Sequence, residues 1–194
     1  SSNSKYKTAQ DVIDAARKDP AKLNYGSSGN GGLSHLSGAL FGNSTKTEIT
    51  HVPYKGLGPA LNDLMAGQID VVFDNMPSSG GLIAGNQLRA LAVSSPTRLA
   101  NLPNVPTYAE VGLKSMNDMS WYGIGAPANL DPAVLAKLSA AMKKATQNPE
   151  LIKTIEQQGA IVDFQTPAQF KDTVERSNKA WAKLIKDIGF EKLN

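Results

Sequence analysis

Short strand-like runs alternate with segments of helical spacing through the first half of the chain, and each run empties into a short polar stretch. "KLNY" leads into "GSSGNGG" and then "LSHLSGALF"; "EITHVPY" leads into "KGLG" and "PALNDLMAGQ"; "IDVVFD" leads into "NMPSSGGLIAG". "LRALAVSS" is one more run of the same kind. Strands joined through helices run parallel, because only a crossover returns the chain to the same edge of a sheet. The alternation therefore predicts an α/β domain built on a parallel sheet. "IDVVFD" is apolar enough to expect burial on both faces.

The flanking helices carry their own signals. In "TAQDVIDAARKDP", Thr8 and Asp11 have capping-box spacing and Pro20 marks the stop. Leu33, Leu36, Leu40 and Phe41 fall on one helical face, and Leu61, Leu64 and Met65 are expected inward on the next helix, which Gly67 closes. "TRLANLPNVPTYAEVG" reads as a Pro-rich loop entering a short helix capped by Thr107 and Glu110. "SWYGIGAP" (120–127) reads as a strand or hinge crossing, and the remainder is mostly helical. Asp131-Pro132, Asn148-Pro149 and Thr166-Pro167 each place proline just after a capping residue, three firm helix starts. "AIVDF" between the last two reads as a short strand. We expect an α/β ligand-binding domain over 1–120, then a hinge strand and helical segment over 121–194.

Composition removes several classes. With no cysteine there are no disulfides and no Cys-based metal sites. Lysine and arginine exceed aspartate and glutamate by only 20 to 17 and are scattered, so no nucleic-acid partner is expected. No apolar stretch approaches the ~20 residues of a membrane span, and "SSNSKYKTAQ" is not a signal peptide.

In a parallel sheet, ligands sit beyond the carboxyl ends of the strands. If the first three strands are neighbours, "GSSGNGG", "YKG" (54–56) and "DNMPSS" (74–79) converge there. The glycine stretch also opens a helix, whose N-terminus offers free N–H groups and about half a unit of positive charge. Ser27 and Ser28 add hydroxyls, and Gly29, Asn30, Gly31 and Gly32 let a ligand approach the backbone. The stretch suits a carboxylate or phosphate; the plain alternative is a flexible loop with an ordinary cap. No G-x-x-x-x-G-K-[ST] and no G-x-S-x-G occurs, and the third glycine of a dinucleotide fingerprint is replaced by Ser34.

His35 lies one turn into that helix and either braces the glycine loop or is a satisfied buried histidine. A metal site from His35, His51 and Asp74, or a triad from Ser27 or Ser28 with His35 and Asp74, has no spacing in its favour. Asp74 and Asn75 are either turn residues or a carboxylate and an amide facing the cleft; there Asp74 would take a ligand amine or hydroxyl, or fix a water, and Asn75 would donate to a carboxylate. Lys55 either pairs with an anion or is solvated, Tyr54 packs or lines the site, and Trp121 and Trp181 read as packing residues.

"LNYGSSGNGGLSHL", "THVPYKGLGPALNDLMAGQIDVVFDN", "LRALAVSSPTRLANLPNVPTYAEVGL" and "SWYGIGAPA", in this order along the whole chain, resemble the tripartite tricarboxylate transporter substrate-binding family, the TctC-like or Bug extracytoplasmic solute receptors. The resemblance implies a periplasmic-binding-protein fold of type II-like topology, here parallel-sheet domain two plus the C-terminal helices of domain one. It implies a periplasmic location, reversible capture of a small organic carboxylate, delivery to a membrane permease, and neither cofactor nor chemistry on the ligand. The family's domain-two loop matches Ser27, Ser28, Gly29, Asn30, Gly31 and His35, and its strand-end pair matches Asp74 and Asn75. Gly32 departs from it, standing where the family usually has Ser or Thr. The family's "P-[FY]-x-x-G-G" loop from the first third is absent, so the resemblance implies a truncated chain. A cleft with one wall is expected to bind weakly, and the helices after 127 to expose apolar faces that invite self-association. An α/β enzyme acting on an acidic substrate through His35 and Asp74, or an interaction module without ligand, are the rival readings.

Overall fold

The computed structural model describes residues 1–117 and 120–190. The chain separates into two compact units, Ser1–Ser120 and Trp121–Asn194.

The first unit is built on a three-stranded parallel sheet: β1 (Asn24–Ser27), β2 (Thr50–Pro53) and β3 (Val71–Val72), in the order β2-β1-β3. Tyr25 pairs with His51 on one side and Val71 on the other; Ser27 lies opposite Pro53. All three strands run the same way, so their carboxyl ends share one edge. Four helices complete the unit: α1 (Ala9–Lys18), α2 (Leu33–Thr45), α3 (Leu57–Ala66) and α4 (Met76–Ala84). α1 starts on the Thr8–Asp11 capping box and buries Ala9, Val12, Ile13 and Ala16, one face at helical spacing. Val12 and Ile13 join Leu23, Phe41, Leu113 and Met116 in one apolar cluster. Each such aliphatic side chain contributes about 1.5–3 kcal/mol by leaving water. A second cluster, Ala60, Leu61, Leu64, Ile69 and Leu88, seats α3 on the sheet. Gly67 closes α3 in the left-handed region at φ 76°.

Five sequence expectations need correction. The strand in "IDVVFD" shrinks to Val71–Val72, and both residues are only half-buried, because β3 is an edge strand with a single ladder partner. "LRALAVSS" forms no strand of its own: Val93 makes one bridge to Thr107, while Leu88 and Leu91 serve the two apolar clusters. Thr107 and Glu110 do make both capping-box bonds, at 2.8 and 3.2 Å, but the segment is a turn and not a helix. Gly112, at φ 83°, ends it, and Arg98 pairs with the Glu110 carboxylate at 2.9 Å. On α2 the expected apolar face holds at Leu36, Phe41 and the half-buried Leu40, but Leu33 is exposed, and Ser34, His35, Gly38 and Gly42 are buried as well. Gly38 is buried against Tyr25, whose ring occupies the space a side chain there would need.

The last correction falls in the second unit. "AIVDF", expected as a short strand, and "SWYGIGAP", expected as a strand or hinge crossing, form no strand, since a lone extended segment has no ladder to satisfy its N–H and C=O groups. This unit consists of α5 (Pro132–Ala145), α6 (Pro149–Gln157) and α7 (Pro167–Asp187), each with proline in its first turn. Their side-chain caps are Asp131, Asn148 and Thr166. Trp121 donates from its indole N–H to Ser177 Oγ at 3.0 Å and meets Phe170 edge-on. α5 and α6 bury no residue fully, and Val134, Leu135, Leu138, Met142 and Leu151 are exposed. No helix among the described residues is long and apolar enough to cross a membrane.

Candidate functional site

β1 carries the chain to Ser27, and the loop from Ser28 to Gly32 turns it into α2. Gly29 and Gly31 have φ of 133° and 74°, a region open to glycine and poor for other residues. That is why the turn is spelled with glycine there. Both amides point into the protein. Gly29 N–H donates to Ser27 Oγ at 3.1 Å, and Gly31 N–H donates to Nδ1 of His35 at 3.0 Å. Ser28 N–H goes to Ser34 Oγ at 2.9 Å, and the hydroxyls of Ser28 and Ser34 lie 3.0 Å apart. The loop's own amides at 28, 29 and 31 are thus used to fix its shape.

What remains for a ligand lies one step further on. An α-helix leaves its first amides without intrahelical partners, and a capping side chain normally takes one or two of them. α2 begins at Gly32, α3 at Gly56 and α4 at Asn75, and none of these residues makes a side-chain cap bond. Each of these helices follows a strand of the sheet, so all three uncapped N-termini face the same edge. The four other helices, α1, α5, α6 and α7, are all capped by side chains. The residues flanking the edge are Ser28 and Asn30, both exposed, Lys55, also exposed, and Asp74 with Asn75.

Tyr54 is less available: its hydroxyl donates to Asp63 Oδ2 at 2.7 Å and ties the end of β2 to α3. Asp74 holds its two carboxylate oxygens unequally. Its Oδ1 accepts from Asn75 N–H at 2.6 Å, whereas Oδ2 is buried without a hydrogen-bond partner. Burial pushes its carboxyl above the usual range; the Asn75 amide opposes this, and so do the hydroxyls of Ser79 and Ser78, though neither makes a well-formed bond to Oδ2. A buried acceptor with no donor is a place for a ligand hydroxyl or a water.

The bracing roles of two residues escaped the sequence reading. Ser34 latches Ser28 from inside α2. His51, on β2, stacks on His35 with ring centroids 3.8 Å apart and planes 7° from parallel, and its Nε2 lies 2.6 Å from Ser27 Oγ. Ser27 has no exposed surface, so the Ser27–His51 bond is internal bracing and does not present a nucleophile. Among the described residues no three His, Asp or Glu side chains stand where they would hold a metal ion.

Residues 1–190 match the tripartite tricarboxylate transporter family receptor. A curated relative from Pseudomonas sp. strain P51, a UPF0065 protein from the tcbD-tcbE intergenic region, is 34% identical, covering 94% of this chain and 55% of its own. Among solved structures, Rhodopseudomonas palustris Rpa4515 with adipate is 32% identical and superposes with a TM-score of 0.87 over 96% of this chain and 62% of its own. MatC from the same organism with bound malate is 26% identical, with a TM-score of 0.82 over 95% and 64%. The chain spans about half the length of the curated relatives it matches. With a match over nearly its whole length and this α/β sheet architecture, the chain belongs to the tripartite tricarboxylate transporter receptor family.

Proposed function

We propose that the chain carries the carboxylate-gripping wall of a periplasmic solute-binding protein. It captures a small organic di- or tricarboxylate reversibly for the permease of a tripartite tricarboxylate-type transporter. The observation that carries this is the set of three uncapped α-helix starts on one sheet edge, against four capped α-helix starts elsewhere among the described residues. Three such termini offer N–H donors and add their partial positive charges where an anion would sit. Ser28, Asn30, Gly32 and the first turn of α2 hold one carboxylate; Lys55 lies beside them. Asp74 and Asn75 read what lies beyond it, Asn75 by donating and Asp74 by accepting a hydroxyl or a bridging water. Relatives with adipate and malate fit this ligand class. Ser27 is a poor nucleophile, because its hydroxyl, 2.6 Å from His51 Nε2, is fully buried.

A thermal-shift panel of malate, adipate, citrate, acetate and a dinucleotide tests the reading. A di- or tricarboxylate at 100 times its dissociation constant should stabilise by about 2.7 kcal/mol, roughly 5–10 °C for a chain of this size. Stabilisation by the dinucleotide alone, or by none of the acids, would overturn it.

We propose further that the exposed apolar face of α5 and α6 draws copies of the chain together. Leu135, Leu138 and Met142 lie at i, i+3 and i+7, and an apolar groove lined by Leu135, Ala136, Ala140, Phe164 and Pro167 adjoins them. Sedimentation should show mass rising with concentration, and Leu138→Glu with Met142→Lys should return the chain to a monomer. A parent chain that stays monomeric at high concentration contradicts this.

A further inference from the structure

Both imidazoles of this protein lie behind the anion loop, and both are wired to its glycine amides. Gly31 N–H ends on Nδ1 of His35. Gly29 N–H ends on Ser27 Oγ, which in turn lies 2.6 Å from Nε2 of His51. The two rings are stacked face to face at 3.8 Å and flanked by the Tyr25 ring, 6.4 Å from His35 and 5.0 Å from His51. Nδ1 of His35 accepts only while it carries a lone pair, so the observed loop requires a neutral ring with its proton on Nε2.

We propose that His35 and His51 are positioning residues for the ligand: the neutral stacked pair holds the glycine loop in the shape that presents the first turn of α2, and protonation of the pair releases loop and ligand together. This rests on the carboxylate-receptor reading for its ligand, though not for its effect on the loop. Protonated at Nδ1, His35 would present a donor to the Gly31 donor, and a second cation 3.8 Å away on His51 would repel it.

α2 itself contains no ionisable group besides His35. From β1 the ring meets Tyr25, whose hydroxyl donates to the His35 carbonyl at 3.2 Å. On β2 it meets His51, with Lys55 just past the strand end. β3 lies on the other side of β1, with Asp74 past its carboxyl end and Asp70 before its start, where it bonds Asn24 N–H. Lys114, in the turn Lys114–Met116, lies by the end of α2 remote from the loop, where Ser44 meets Ser115. Burial depresses His35; burial and the charge of His35 bring His51 down to about 4. The neutral pair is therefore the state at pH 7, and release belongs to the acid side of the ordinary histidine range.

Nuclear magnetic resonance of the ligand-free chain tests this without depending on any acid. The His35 ring nitrogens and the Gly31 amide should change together as pH falls from 7.5 to 4, the amide losing its protection as the ring gains its proton. In His35→Asn, whose amide oxygen accepts but does not titrate, the Gly31 amide should stay protected at pH 5. Malate affinity of the parent should then fall further between pH 7 and 4 than that of His35→Asn, which carries malate's own titration as baseline. A Gly31 amide indifferent to the His35 ring overturns the proposal even if the variant misfolds. So does an equal loss of affinity in parent and variant. Coupled ring and amide with no acid bound at any pH would uphold the loop mechanism and sink the receptor reading instead.

Discussion

Gly32→Asp should abolish carboxylate binding while leaving the fold as stable as before or slightly more so. Gly32 stands at the N-cap of α2 with φ −72° and ψ 165°, extended backbone that any residue adopts. A side chain there meets Ser28 Oγ at 3.2 Å from its Cβ, so Ser28 must give by a few tenths of an ångström, which an exposed hydroxyl can do. An aspartate at an N-cap accepts from the amides two or three residues on and is favoured by the helix dipole, a gain of a few tenths of a kcal/mol over glycine. Those amides are the donors assigned to the ligand, and the new carboxylate also puts like charge at the seat. Repulsion of that kind costs several kcal/mol, so affinity should fall roughly 100-fold or more. Gly32→Asn separates the two causes: it caps without charge and should lose less. Calorimetric titration with malate, paired with a melt, reads both quantities. A variant that binds as tightly as the parent would place the carboxylate elsewhere.

The same position shows how far the sequence could be read. The three-strand parallel sheet follows from short apolar runs joined through helices, and the helix starts at Thr8, Asp131, Asn148 and Thr166 follow from local chemistry that needs no tertiary context. That the strand ends at Ser27, Pro53 and Val72 share an edge also follows, once the strands are parallel neighbours. What could not be read depended on partners distant in sequence. Val93 looks like a strand residue, but its backbone found only Pro106 and Tyr108. Leu33 looks like core but is exposed, while Gly38, which carries no apolar signal, is buried against the Tyr25 ring. Nothing in the sequence joins Ser34 or His51 to the loop's serines; only folding brings them 3.0 Å from Ser28 Oγ and 2.6 Å from Ser27 Oγ. A serine and a histidine side by side at the start of a helix behind a glycine loop was the one available hint, since a purely structural helix would place apolar residues there.

Gly38→Ala should destabilise the first unit by about 2 kcal/mol, although alanine is the better helix former by about 1 kcal/mol. An added Cβ would fall within the Tyr25 ring. That ring has nowhere to go. It stands edge-on to Phe73 at 5.7 Å, lies 5.0 Å from the His51 ring, and is tethered through its hydroxyl to the His35 carbonyl. Displacing it therefore strains the pair of imidazoles that braces the glycine loop, and the cost should appear twice. The melting temperature should drop by roughly 4–8 °C for a chain of this size. Carboxylate affinity should fall as well, though Gly38 lies more than a turn from the uncapped end of α2. Tyr25→Leu removes the obstructing ring, so it should absorb much of the penalty in the double variant, a coupling that additive effects would not produce. A neutral Gly38→Ala would mean that Tyr25 can swing aside, and with it that the histidine stack is less fixed than its geometry requires.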